Sequence, residues 1–185
     1  MKESLLEEYR YFLKDTVRKT IDFSQTDQSR GIDPPPVEKP FAKDSTRIDL
    51  IPHGKWDGVE GIDLIAAIGN RKSRRAYSDE PLTADELSFL LWATQGMRCV
   101  VSPETALRSV PSAGARHSFE TYLVVNRVKS LPAGLYRYLP FEEKLAQLTL
   151  DEQIGRKAAT ACFGQNFIAT SAVTFFWTAI PARME

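Results

Sequence analysis

Apolar side chains recur at helical spacing from the start of the chain, where Leu5, Leu6, Tyr9, Phe12, Leu13 and Val17 form one stripe against a charged face. This predicts an amphipathic helix over residues 1–20. The pattern then vanishes. Residues 21–57 carry Pro34, Pro35, Pro36, Pro40 and Pro52 among scattered charges, which favours an extended, proline-containing arm. Helical period returns in GIDLIAAIGN, where Leu64, Ile65 and Ile68 are expected to face inward and Gly69 and Asn70 to end a short helix. In LTADELSFLLWATQG, Thr83 and Glu86 fit a capping box, Pro81 lies just upstream and Gly96 marks the far end.

The period changes to that of strands in ETYLVVNRV and GLYRYLP, rich in β-branched and aromatic residues and joined through SLPAG, so a hairpin is expected. A helix around Glu152–Ala161 and a final apolar strand, AVTFFWTAI, follow. The fold class is therefore α+β, with one domain over residues 58–185 preceded by the arm and the first helix.

With 185 residues the chain is long enough for one sizeable core. Its 24 basic and 24 acidic residues cancel, so no general attraction to nucleic acid or an anionic membrane is expected and anion binding must be local. The acidic amphipathic N-terminus is unlike a signal peptide, and no apolar run approaches the roughly 18 residues of a membrane span. Cys99 and Cys162 are far apart and outside any C-x-x-C spacing, which points to a reducing cytoplasm and to no metal site.

Against that neutral background, NRKSRRAYSDE gathers Arg71, Lys72, Arg74 and Arg75 around Ser73. Forked guanidinium donors and a hydroxyl within five residues suit a phosphate monoester, although such a run taken alone reads more readily as a solvated surface turn. A second stretch adds to it. In VPSAGARHSFETYLVV, the small residues Pro111, Ser112, Ala113 and Gly114 precede a strand, where backbone amides can approach the edge and face of a flat ring.

Together RKSRRAY, EPLTADELSFLLWATQG, PSAGARHSFETYLVV, GLYRYLP and FGQNFIATSAVTFFWTAI resemble the nitroreductase superfamily. The likeness is greatest to its branch similar to the oxidases that form thiazoles and oxazoles in peptides, the SagB-type dehydrogenases. The resemblance implies a central antiparallel sheet with flanking helices in an interlocked homodimer, with FMN in clefts at the subunit interface. It further implies that Arg71 and Ser73 hold the flavin phosphate and ribityl chain with Lys72 beside them, and that Arg75 approaches the pyrimidine edge. Pro111, Ser112, Ala113 and Gly114 would cover the ring from the other subunit, and Asn166, or Gln165 beside it, would meet its polar edge. The implied activity is ping-pong hydride transfer between NAD(P)H or a small-molecule or peptide heterocycle and an acceptor; no particular catalytic residue is indicated. The family pattern continues beyond the position of Glu185 with an interface helix, an amide facing flavin N5 and a late basic residue, so the resemblance implies that the C-terminal part is missing. The rival expectation is a flavin-fold remnant serving as a binding or oligomerisation module.

His53 and His117 are the two histidines, too few for a His-rich metal site, and no G-x-S-x-G elbow occurs. His117 is expected either to touch substrate at the mouth of the site or to sit idle on the surface. Trp56, Trp92 and Trp177 are expected to pack in a core or an interface.

Overall fold

The computed structural model describes residues 2–102 and 105–184. Two units emerge, one ending at Pro35 and the other running from Pro36 to Met184. In the first, α1 (Lys2–Phe12) gives way to two short 3-10 turns at Asp15–Thr20 and Phe23–Gln25. The stripe residues Leu5, Leu6, Tyr9 and Phe12 are exposed.

The second unit is built on a five-stranded sheet, every pairing antiparallel, in the order β1-β6-β5-β4-β7. Its elements in chain order are β1 (Arg47–Asp49), α2 (Leu64–Asn70), α3 (Ala84–Gln95), β2 (Met97–Ser102), β3 (Thr105–Arg108), β4 (Phe119–Val125), β5 (Gly134–Leu139), β6 (Lys144–Leu150), α4 (Ile154–Ala161), α5 (Phe167–Thr170) and β7 (Val173–Ala179). β2 and β3 form a separate two-stranded ribbon.

The helix with the clearest start and stop signals organises the core. The Glu86 amide donates to Thr83 Oγ1 (3.1 Å) and Glu86 Oε2 accepts from the Thr83 amide (2.7 Å), closing the expected capping box at the start of α3. Its Leu87 and Leu91 pack on Leu123 and Val125 of β4, Tyr136 and Tyr138 of β5 and Leu145 of β6. These strand residues share one sheet face because Leu123 pairs with Tyr136 and Tyr138 with Leu145. Gly96 ends the helix at φ −61°; a β-carbon there would collide with Trp92, so close approach, and not a left-handed turn, accounts for this glycine.

The β4–β5 hairpin, the helix near Glu152–Ala161 and the strand β7 all form as the sequence pattern predicts. Within the arm, β1 joins the sheet edge beside β6, and Ile51 donates its amide to Ser88 Oγ (3.0 Å) of α3. The expectation for α2 is overturned. Leu64, Ile65 and Ile68 are 71, 81 and 67% exposed instead of turned inward. The α3 residues already fill this face of the sheet, so the apolar face of α2 has no place in the core.

Among the described residues no helix is long and apolar enough to cross a membrane, and no group of three or more His, Cys, Asp or Glu side chains could hold a metal ion.

Candidate functional site

The basic segment leaves a capped helix and stays in solvent. Asp63 Oδ1 accepts the amides of Ile65 (3.0 Å) and Ala66 (3.1 Å) at the start of α2. At the other end Arg71 adopts φ −63°, ψ 123°, which turns the chain into an extended run. Every residue from Arg71 to Glu80 is exposed. The side chains of Arg71, Lys72, Ser73, Arg74 and Arg75 make no hydrogen bond or ion pair to another described residue, so their donors are available to an external anion.

One contact places this run against the rest of the unit. The Arg75 guanidinium lies 6.0 Å from the centre of the Phe167 ring at the start of α5, which brings Arg75 next to exposed Asn166. Arg127, just beyond β4, donates to the carbonyls of Ser78 (2.8 Å) and Thr170 (2.9 Å), joining the run to the same helix. Asn126 beside it donates to the carbonyls of Ile168 and Ser171, both at 3.0 Å. This packing leaves no room at Gly155 of α4, where a β-carbon would come within 2.8 Å of Asn126 Cγ.

Pro111, Ser112, Ala113 and Gly114 lie at the opposite end of β4. Ala113–Ala115 form a 3-10 turn in which Gly114 has φ +61°, and Ala115 (+53°) and His117 (+45°) also lie in the left-handed region. Such angles cost a non-glycine residue on the order of 1 kcal/mol. Two contacts hold the turn: the His117 amide donates to Ser112 Oγ (2.9 Å) and the Ala115 amide to the Ser112 carbonyl (3.0 Å). Pro111, Ala113 and Gly114 remain exposed.

His117 is not an idle surface residue. It is 5% exposed, and burial first, then the nearby Arg108 charge, push its imidazole below the ordinary value of 6.5. It adjoins a buried polar network absent from the sequence expectations. Arg183 donates to Glu120 Oε1 (2.7 Å) and to the carbonyls of His117 (3.1 Å) and Pro36 (2.8 Å). Arg108 donates to the Val37 carbonyl (3.0 Å), and Arg137 to those of Lys39 (2.7 Å) and Pro40 (3.3 Å). Residues 36–40 are thus strapped to the sheet by three buried arginines. Arg137, set between Tyr136 and Tyr138 in an otherwise apolar strand, was the available signal.

The two sequence motifs are therefore placed but not brought together. No hydrogen bond, ion pair or ring contact links residues 71–75 to residues 111–114 among the described residues. β4 lies between their anchor points, and its seven residues extend about 20 Å at the rise of a strand.

An antiparallel sheet filled by one capped helix, with a cationic run and a small-residue turn at opposite ends of an inner strand, defines an α+β protein of nitroreductase-like architecture. Residues 68–185 match the nitroreductase family, and the chain belongs to that family. Over 115 residues it is 36% identical to a protein of Methanocaldococcus jannaschii named as a nitroreductase, a match covering 62% of this chain and 56% of the relative. The chain thus spans about half the length of that curated relative. Two crystal structures of proteins also named as nitroreductases share the fold at 24% identity. That from Ralstonia eutropha has a TM-score of 0.57 over 83% of this chain and 67% of its own. That from Anabaena variabilis has a TM-score of 0.55 over 73% of this chain and 27% of its own.

Proposed function

We propose that the chain is an FMN-dependent oxidoreductase whose flavin site is shared between two copies in a homodimer. The observation that carries this reading is the free cationic run at one end of β4 and the exposed Pro-Ser-Ala-Gly turn at the other. Anchored about 20 Å apart on one copy, the two would meet at one flavin if each came from a different copy. Arg71 and Ser73 would hold the flavin phosphate and ribityl chain, with Lys72 beside them. The fit is chemical: these donors are exposed and unspent, as a phosphate dianion requires.

Arg75, steadied against Phe167, would reach the pyrimidine edge, where a cation stabilises negative charge on a reduced ring. Asn166, beside Phe167, would meet the polar edge of the same ring. Pro111, Ser112, Ala113 and Gly114 of the other copy would cover the ring face. FMN, when bound, supplies reversible hydride chemistry, alternating between a donor such as NAD(P)H and an acceptor. The substrate is a small molecule or, following the resemblance to SagB-type dehydrogenases, a heterocycle within a peptide, and the setting is the cytoplasm. The exposed face of α2 favours a second reading, in which association with another chain is itself the function.

The test is to add FMN to the purified chain, remove the excess and follow visible absorbance under anaerobic addition of NADH or NADPH. The proposal expects retained yellow colour that bleaches with the nicotinamide. A chain that retains no flavin, yet self-associates, supports the second reading.

A further inference from the structure

Beside the Pro-Ser-Ala-Gly turn lies an open cavity of about 360 Å³, within the size range of small-molecule sites. Its lining includes Arg98, Arg108, Ser109 and His117, with Leu107 and Val110 as apolar wall and Pro111 and Ser112 of the turn at its side, and contains no aspartate or glutamate among the described residues. This charge balance sets it apart from the neutral chain as a whole.

Two lining residues hold buried polar atoms that the fold does not satisfy. Arg108 is 5% exposed; its terminal nitrogens donate to Gln95 Oε1 (3.2 Å), the Phe119 carbonyl (3.5 Å) and the Val37 carbonyl (3.0 Å), but its Nε has no partner. Ser109 Oγ is likewise buried and without a partner. Unpaired buried donors are costly and usually mark a missing acceptor. The nearby carboxylate of Glu120 cannot supply one, because it is engaged by Arg183 and by the Lys39 amide. Arg98, by contrast, is exposed and makes no ion pair with another described residue.

We infer that this cavity binds a small organic carboxylate, its anionic end near Arg98, Arg108 and Ser109 and its apolar body against Leu107 and Val110. A planar carboxylate matches a guanidinium fork, and the apolar wall disfavours a bare inorganic anion. The site lies outside the basic run of residues 71–75 but shares Pro111 and Ser112 with the turn proposed to cover the flavin. If flavin does bind, the ligand sits next to the turn that covers it and is a candidate substrate or acceptor.

The test is a ring-proton NMR titration of the two histidines, His53 and His117, in the purified chain without flavin. Benzoate, benzamide and inorganic phosphate are added separately. Benzoate is expected to shift His117 saturably and leave His53 unmoved, with benzamide about tenfold weaker or worse, as loss of a charged hydrogen bond implies. Arg98→Gln, at an exposed position, should keep the circular dichroism of the parent and weaken benzoate by about tenfold. An unmoved His117, equal binding of benzoate and benzamide, or an unaffected Arg98→Gln protein overturns the inference. Phosphate binding as tight as benzoate overturns the carboxylate assignment. Because benzoate is titrated in the absence of FMN, failure here leaves the flavin proposal standing, and the reverse holds.

Discussion

Two arginine-rich regions of this protein are handled in opposite ways. In residues 71–75, four cations and a serine stand in solvent with no ion pair to another described residue. Around residues 36–40, Arg108, Arg137 and Arg183 are 5, 3 and 2% exposed and spend their donors on backbone carbonyls, Gln95 and Glu120. The same side chain is a fastener in one place and an open ligand in the other. Burial decides which, because a buried guanidinium has to draw most of its partners from within the fold, whereas an exposed one loses little by waiting for a partner.

The sharpest way to break this contrast is Arg183→Ala. It strands Glu120, 3% exposed, without its cation, and removal of one member of a buried pair costs about 3–5 kcal/mol. Urea unfolding should show a large fall in midpoint; a fall below about 1 kcal/mol would mean that the strap contributes little. In the exposed region, Arg71→Ala should leave that midpoint unchanged and instead weaken FMN binding by about 1.5–3 kcal/mol, measured by fluorescence titration.

A pH series sharpens the buried side. Because burial and Arg108, with Arg183 adding to them, hold the His117 imidazole below 6.5, the unfolded chain takes up a proton that the folded chain resists. Stability should therefore be present above pH 6.5 and fall as pH drops below it. Glu38, pushed up chiefly by burial, works with the opposite sign from pH 4.5 upward, so the informative quantity is the difference between parent and His117→Gln. The variant should lose less stability on acidification, by thermal melts at matched pH. The smallest effect belongs to Arg74→Ala, exposed and unpaired, which should stay within about 0.5 kcal/mol of the parent in urea.

The contrast also explains what could be read from the chain. α3 and the β4–β5 hairpin were legible because local signals coincide there: a capping box with a closing glycine, then β-branched and aromatic runs. β6 was not, since Leu145, Leu148 and Leu150 lack a strict alternation and only pairing with β5 reveals the strand. β1 was hidden by its three-residue length. The buried face expected on α2 failed for another reason: an apolar stripe says that a face favours cover but not which surface supplies it. At the candidate site, the residue types in 71–75 and 111–114 were visible in sequence. Their separation by β4 and the burial of His117 depend on contacts made far along the chain, above all the bond from Arg183 to the His117 carbonyl.

The composite site is the central claim, and subunit complementation tests it most directly. One variant carries Arg71→Ala with Ser73→Ala; the other carries Ala113→Trp, at an exposed position where the new ring would occupy the flavin face. Each alone should retain almost no FMN. Co-expressed and allowed to pair at random, they should recover about a quarter of the parent flavin content, since half of the dimers are mixed and each mixed dimer holds one intact site. No recovery, from mixed dimers shown to form, would contradict a site built from two copies.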